Sequence, residues 1–303
     1  MLLNIAYHYA WKSWCCWCDK RKIDHIPTSI APIADFFLDL FEQGKQVNSV
    51  SNYKSALSVT LPPIEGHSVG NHPLISKLFK GFRNLRPKMY KNPPKWEIDT
   101  VLTKLNCWGD NSVLTMKQLS IKLVMLLSLV SASRCSEISY LDVKNMTNLP
   151  DGIQFCLTKH KKNRSAAVMP GTLFFAKNSK MPNLCPVKCL QDYISRREKT
   201  GQSMSGALIR SYIKPFGPVT PSTISRWLSM VIKMTCFISQ NNTLGHSVRG
   251  KAASKAMFFG LSSQEIMSVA EWKTNSVFQK FYYFPTAHGK FGRAVLNIDA
   301  LNT

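Results

Sequence analysis

Gly152-Ile153-Gln154-Phe155-Cys156-Leu157-Thr158-Lys159-His160-Lys161-Lys162-Asn163-Arg164 leads into Ala166-Ala167-Val168-Met169-Pro170. It is the one stretch of this chain whose apolar residues follow a strand period rather than a helix period. Ile153, Phe155 and Leu157 sit two apart, as on a half-buried strand. Six residues rich in cation follow, and a second apolar run over Ala166–Met169 supplies the return strand. The reading is a β-hairpin with a strongly basic tip. Everything around it reads as helix, so the expected fold class is mainly α with a small β-hairpin or sheet (α+β).

Working outward, the helices of the hairpin's own domain are expected near 97–106, 117–133, 186–199, 221–235, 248–259 and 263–270. Thr220-Pro221 is a helix start with proline in the first turn, and Ser262-x-x-Glu265 is a capping box. Further toward the N-terminus, Trp11, Trp14 and Trp17 recur every three residues. Pro32 opens an apolar run through Phe41 that Gly44 closes. Ser49 is placed to cap a third helix that Pro62-Pro63 ends, and a fourth runs from Pro73 through Leu78, Phe79 and Phe82. The stretch 86–95 holds three prolines, four basic residues and no acid. Such a segment is extended and suited to tracking phosphates. The organisation is therefore an all-helical domain over 1–85, a basic Pro-rich linker over 86–95, and a second domain over 96–303. No internal repeat or low-complexity stretch is visible.

The 303 residues include 39 Lys and Arg against 17 Asp and Glu, a formal charge of +22. That imbalance attracts a polyanion, and nucleic acid or an anionic membrane are the usual candidates. An apolar fraction of 45% belongs to a packed protein, not to a disordered basic tail. No apolar run nears the roughly 18 residues that span a bilayer, and the start lacks the pattern of a signal peptide. Nine cysteines without a regular framework read as reduced, mostly buried thiols. Cys185 and Cys189 are four apart, yet no second Cys/His pair with zinc spacing accompanies them. The expectation is an intracellular, soluble protein in a reducing compartment.

Five pieces of sequence can serve one chemistry. Arg134 stands directly after the apolar 117–133 helix, where a charge must be paired or face a cleft; the plainer reading is a cation on the helix C-terminus. Lys159 leaves the first hairpin strand 25 positions later, and Lys161, Lys162 and Arg164 follow as phosphate contacts. His246-x-x-Arg249 puts a proton-transfer group and a bidentate cation one helical turn apart. Trp272 comes 23 residues after Arg249. Phe278-Gln279-Lys280-Phe281-Tyr282-Tyr283-Phe284-Pro285 then offers phenols, which become nucleophiles where nearby cations favour the phenolate.

The ordered set Arg134…Lys159…His246-x-x-Arg249…Trp272…Tyr282 resembles the active-site signature of the tyrosine recombinase (phage integrase) family. Ser133-Arg134-Cys135-Ser136-Glu137, His246-Ser247-Val248-Arg249-Gly250, Glu271-Trp272 through Pro285, 213–220 and Phe291–Leu296 resemble the recombinases of DIRS-type retrotransposons and Cryptons. The resemblance covers the second domain nearly end to end. It implies a helical core-binding domain followed by a catalytic domain, and DNA strand cleavage and rejoining through a 3′-phosphotyrosyl bond to Tyr282. Arg134 and Arg249 would clamp the scissile phosphate, Lys159 would protonate the leaving 5′-oxygen, and His246 would assist proton transfer. Trp272 would pack on the phosphate, with Glu137 supporting from behind, and Lys88, Lys91 and Lys95 would contact DNA. No metal, cofactor or small-molecule substrate is implied. The partner is double-stranded DNA, held by a homo-tetramer on synapsed duplexes, and the eukaryotic relatives imply a nuclear location.

Two registers stay open. In much of the wider family the tyrosine falls nine residues after the Trp272 position, which here is Phe281; the DIRS-type spacing favours Tyr282 over Tyr283. Lys161 or Lys162 can take the place of Lys159 if the hairpin is longer. The alternatives are a decayed or domesticated DNA-binding descendant of a mobile element, and a type IB topoisomerase; RNA binding rests on charge alone.

Overall fold

The computed structural model describes residues 5–87, 95–157, 171–201, 206–235, 244–270 and 272. The chain divides into two compact units, Met1–Asn92 and Pro93–Thr303.

The first unit holds four helices, α1 (Ile5–Arg21), α2 (Ala31–Glu42), α3 (Val47–Thr60) and α4 (Pro73–Leu85). Its core is aromatic. Phe36 lies 5.2 Å from Trp14, 5.6 Å from Trp17 and 5.9 Å from Tyr53, each edge to face, the arrangement the ring quadrupoles favour. Trp17 keeps its indole N–H satisfied at the rim by donating to Asp39 Oδ2 at 2.7 Å, and Arg21 bonds the same oxygen. Gly44, at φ +86°, closes α2 as expected: its N–H donates to the Phe41 carbonyl, and that of Lys45 to Leu40. This is a Schellman ending. The start of α3 differs from the sequence reading. The helix begins at Val47 behind Gln46, with no side-chain cap, so Ser49 is already inside the first turn. Arg86 also departs from the expected phosphate-tracking linker. Its guanidinium lies 3.8 Å from the Phe41 ring centroid and donates to the Phe41 carbonyl at 2.7 Å, committing it to its own unit.

The second unit is built around α6 (Met116–Ser131). Leu119 through Ser128 are all buried, which is why the sequence there is apolar all round rather than striped. Around α6 stand α5 (Ile98–Asn106), α8 (Pro186–Lys199), α9 (Pro221–Lys233), α10 (Ser247–Phe258) and α11 (Ser263–Ala270). Thr220 accepts from the Thr223 N–H with Pro221 in the first turn, and Ser262 and Glu265 cap each other reciprocally. A short α7 (Cys135–Ser139), too brief to show a period in sequence, follows α6.

The β structure is an antiparallel sheet of three described strands, β1 (Met146–Leu149), β2 (Gly152–Cys156) and β3 (Thr172–Ala176), in that order. Ile153 and Phe155 face inward, as their alternation indicates. The partner of β2 is β3, with Phe155 opposite Leu173 and Ile153 opposite Phe175. The expected return strand over 166–169 lies outside the described residues; the alternation that marks the described partner is Leu173 and Phe175. β1 escaped the sequence reading because its residues are exposed or half-buried and carry no apolar rhythm. A Cβ on Gly152 would stand 2.4 Å from the Phe175 carbonyl oxygen, so only glycine lets the strands close there.

Of the eight described cysteines four are buried, Cys18, Cys135, Cys185 and Cys189. The thiols are thus less buried as a set than expected, with Cys16, Cys107 and Cys156 exposed. Burial pushes the Cys189 thiol up to about 12. Cys185 acts as a helix cap: its sulfur accepts from the N–H of Lys188 at 3.4 Å and of Asn178 at 3.3 Å. Among the described residues no helix is long and apolar enough to cross a membrane.

Replacing Phe36 with alanine removes the ring on which three others rest. The midpoint of denaturant unfolding should fall by the equivalent of about 3–5 kcal/mol. Lys122 gives a second check. It is fully buried on α6, donates to the Gly109 carbonyl at 3.1 Å, and burial holds its ammonium below the ordinary value of 10.5. The folded state then gives up its proton before the unfolded state does. The parent should accordingly gain stability relative to Lys122→Met as pH rises through the lowered value toward 10.5, read from paired unfolding curves.

Candidate active site

The site is organised by where α6 stops. Ala132 takes the left-handed conformation, φ +45°, which turns the chain out of α6 at Ser131, two residues earlier than the expected end. Arg134 is therefore not a cation on the C-terminus of α6; it is the N-cap residue of α7. Its backbone N–H donates to Glu137 Oε2 at 2.8 Å, the reciprocal half of a capping box. Its guanidinium reaches Glu137 Oε1 at 2.6 Å, so one carboxylate fixes both ends of the residue. The Arg134 side chain is still 43% exposed, whereas that of Glu137 is 6% exposed.

Arg249 approaches the same carboxylate from α10. Its Nη1 stands 3.6 Å from Glu137 Oε2, and its side chain is 5% exposed. Nη2 donates to the Ala270 carbonyl at 2.5 Å, at the end of α11. The guanidinium carbon lies 4.5 Å from the Trp272 ring centroid, a cation–π contact. Trp272 is buried, its backbone N–H held by the Met267 carbonyl at 3.0 Å, and packs with Ala132, Ala252, Ala253, Ile266 and Ala270. Two guanidinium groups against one buried carboxylate leave an excess of positive charge where Arg134 meets solvent. Such a centre suits an oxyanion that takes paired N–H donors.

His246 closes a short 3-10 turn (Leu244–His246) and occupies the N-cap position of α10. It is exposed while Arg249, one turn later, is buried. The residue that sets this turn is Gly245, which the sequence reading passed over. A Cβ there would stand 2.4 Å from the Ser225 carbonyl oxygen of α9, and its N–H donates to Ser229 Oγ at 2.9 Å. Nothing in the sequence marks Gly245 out; its need for glycine arises only when the turn lies on α9.

The structure thus brings Arg134, Glu137, Arg249 and Trp272 into one contact set, with His246 at the head of the helix that carries Arg249. Lys95 is exposed. Lys159, Lys161, Lys162 and Arg164 (158–170), Lys88 and Lys91 (88–94), and Tyr282 and Tyr283 (273–303) lie outside the described residues.

No protein-family model matches the chain, and neither does any curated protein. Solved structures do. A XerH site-specific recombinase bound to a palindromic difH substrate in a post-cleavage complex superposes with TM-score 0.58 at 10% identity, over 89% of this chain and 72% of that one. A lambda integrase dimer bound to a COC′ core site gives 0.54 at 13% identity, over 94% and 89%. The integrase of transposon Tn1549, in complex with circular intermediate DNA, gives 0.52 at 12% identity, over 95% and 98%. At such identities the likeness is one of fold: this chain folds as tyrosine recombinases and integrases do.

Glu137→Ala should lower the stability of the chain by about 3–5 kcal/mol, because the buried Arg249 charge then loses that carboxylate. Adding Arg249→Met should recover part of the loss, a coupling that a double-mutant cycle of unfolding curves measures.

Proposed function

We propose that this chain cuts and rejoins DNA strands, as a site-specific recombinase or integrase of a mobile element. The observation that carries the reading is the shared Glu137 carboxylate between Arg134 and Arg249, on a fold common to DNA-bound recombinases. Two clamped guanidinium groups can hold the non-bridging oxygens of one phosphodiester and offset charge that develops at phosphorus.

In this reading Tyr282 attacks the scissile phosphate. The P–O bond to the 5′-oxygen breaks as a 3′-phosphotyrosyl bond forms, so bond energy is conserved and neither metal nor nucleotide cofactor is needed. Lys159 gives a proton to the departing 5′-oxygen, His246 handles the proton of the nucleophile, and Trp272 keeps Arg249 aimed. The first unit grips duplex DNA. In support, the exposed face of α4 presents Lys77, Lys80 and Arg83, and α4 contains no acidic residue; Lys88, Lys91, Lys95, Lys161, Lys162 and Arg164 extend the phosphate contacts. The formal charge of +22 fits this substrate. The quoted motifs favour a DIRS- or Crypton-type element, and hence a nuclear protein that works as a homo-tetramer on two synapsed duplexes.

A nicked suicide duplex should trap the parent as a covalent protein–DNA adduct. Tyr282→Phe should abolish the adduct while DNA binding survives; loss only in Tyr283→Phe would move the nucleophile by one residue. Binding should weaken steeply with salt, since each neutralised phosphate releases counterions. Relaxation of supercoiled plasmid without regard to site would point instead to a topoisomerase.

A further inference from the structure

Helix α10 carries His246 at its head and Arg249 in its first turn, and a different face of the same helix is tied down by three polar links. Ser247 Oγ accepts from the Trp96 indole N–H at 2.8 Å. Lys251 Nζ bonds Glu97 Oε1 at 2.9 Å, and Lys255 Nζ bonds Asp99 Oδ1. Ser247, Lys251 and Lys255 are spaced four apart, so they form one row along the helix, while Arg249 points roughly to the opposite side. Their partners, Trp96, Glu97 and Asp99, come from four consecutive residues at the start of α5. One short segment therefore grips two full turns of α10.

The first two links are unlike ordinary surface pairs. Trp96 is fully buried in the core of the second unit, so its N–H is directed at Ser247 by packing on every side. The Lys251 side chain is 10% exposed, whereas that of Glu97 is 66% exposed. The lysine thus runs beneath the segment and surfaces only at the carboxylate. Pairing an ammonium whose stem is buried and whose exit point is fixed resists rotation of the helix better than two solvated side chains would. The first link acts on the residue between His246 and Val248, where a small roll moves both the imidazole and the guanidinium.

We propose that Trp96 and Glu97 are positioning residues for the chemistry, holding the roll and height of α10 so that His246 and Arg249 meet the phosphate together. This rests on the reading of the chain as a strand-cutting enzyme. Departures of about 10–20° or about 0.5 Å take a preorganised constellation out of productive geometry, and a displacement of about 1 Å costs on the order of 100-fold in rate. Neither residue touches DNA in this scheme.

The test uses the full chain and a suicide duplex at saturating concentration. Trp96→Phe keeps an aromatic ring and removes the N–H; Ser247→Ala removes the acceptor and leaves the indole alone. Both should slow adduct formation by about 10-fold or more with little change in DNA affinity. Glu97→Lys should do likewise, and Glu97→Lys with Lys251→Glu should regain most of the rate. Variants that bind and cleave like the parent would overturn the proposal, as would a rate loss matched by an equal loss of binding. A second measurement is independent of cleavage. In a crystal structure of Ser247→Ala, the Arg249 Nη1 to Glu137 Oε2 separation should depart by about 0.5 Å or more from 3.6 Å. An unmoved α10 would overturn the proposal, whereas a parent that forms no adduct contradicts the functional reading alone.

Discussion

The second unit of this protein turns on one buried carboxylate. Glu137 accepts from both the backbone and the guanidinium of Arg134 and stands 3.6 Å from Arg249. A carboxylate removed from water is costly unless cations and donors replace the solvent, and here two arginines from distant parts of the sequence do so. The need to satisfy Glu137 fixes how α7 meets α10. Because Arg134 stays partly exposed, the same arrangement leaves cationic donors facing outward. Structural and chemical demands therefore coincide in one ion cluster.

The remaining elements keep that cluster in register. Ala132 ends α6 abruptly, Gly245 allows the turn before α10 to lie on α9, and Trp272 with the alanines beside it backs the Arg249 guanidinium. The segment from Trp96 to Asp99 holds the other side of α10. Helix α6, buried along nearly its whole length, is the post around which these pieces are arranged. Placing guanidinium groups on packed helices limits their motion, which a site acting by electrostatic preorganisation requires.

Much of this was legible in the sequence, and the failures have physical causes. The long helices announced themselves through apolar period, proline in the first turn and Gly44 at an end. Ile153 and Phe155 marked their strand because one face is buried. β1 left no trace, since an exposed strand needs no apolar rhythm. The helix that Arg134 starts was not legible, because a left-handed alanine is invisible in sequence and converts a helix end into a helix start. Arg86 looked like any linker cation until Phe41 was found beneath it. For the site, residue identities and their order pointed to Arg134, Glu137, Arg249 and Trp272 before any geometry did. Gly245, Ser247 and Trp96 were missed, because their importance depends on contacts with residues remote in the chain.

The central claim is that Tyr282 becomes covalently joined to DNA. The direct measurement is to trap the parent chain on a nicked duplex, digest it with nuclease and trypsin, and fragment the peptide Phe281-Tyr282-Tyr283-Phe284-Pro285-Thr286-Ala287-His288-Gly289-Lys290 by mass spectrometry. The account predicts a nucleotide adduct on that peptide, with the added mass on Tyr282. A peptide recovered only unmodified, or an adduct on any other residue, would contradict it.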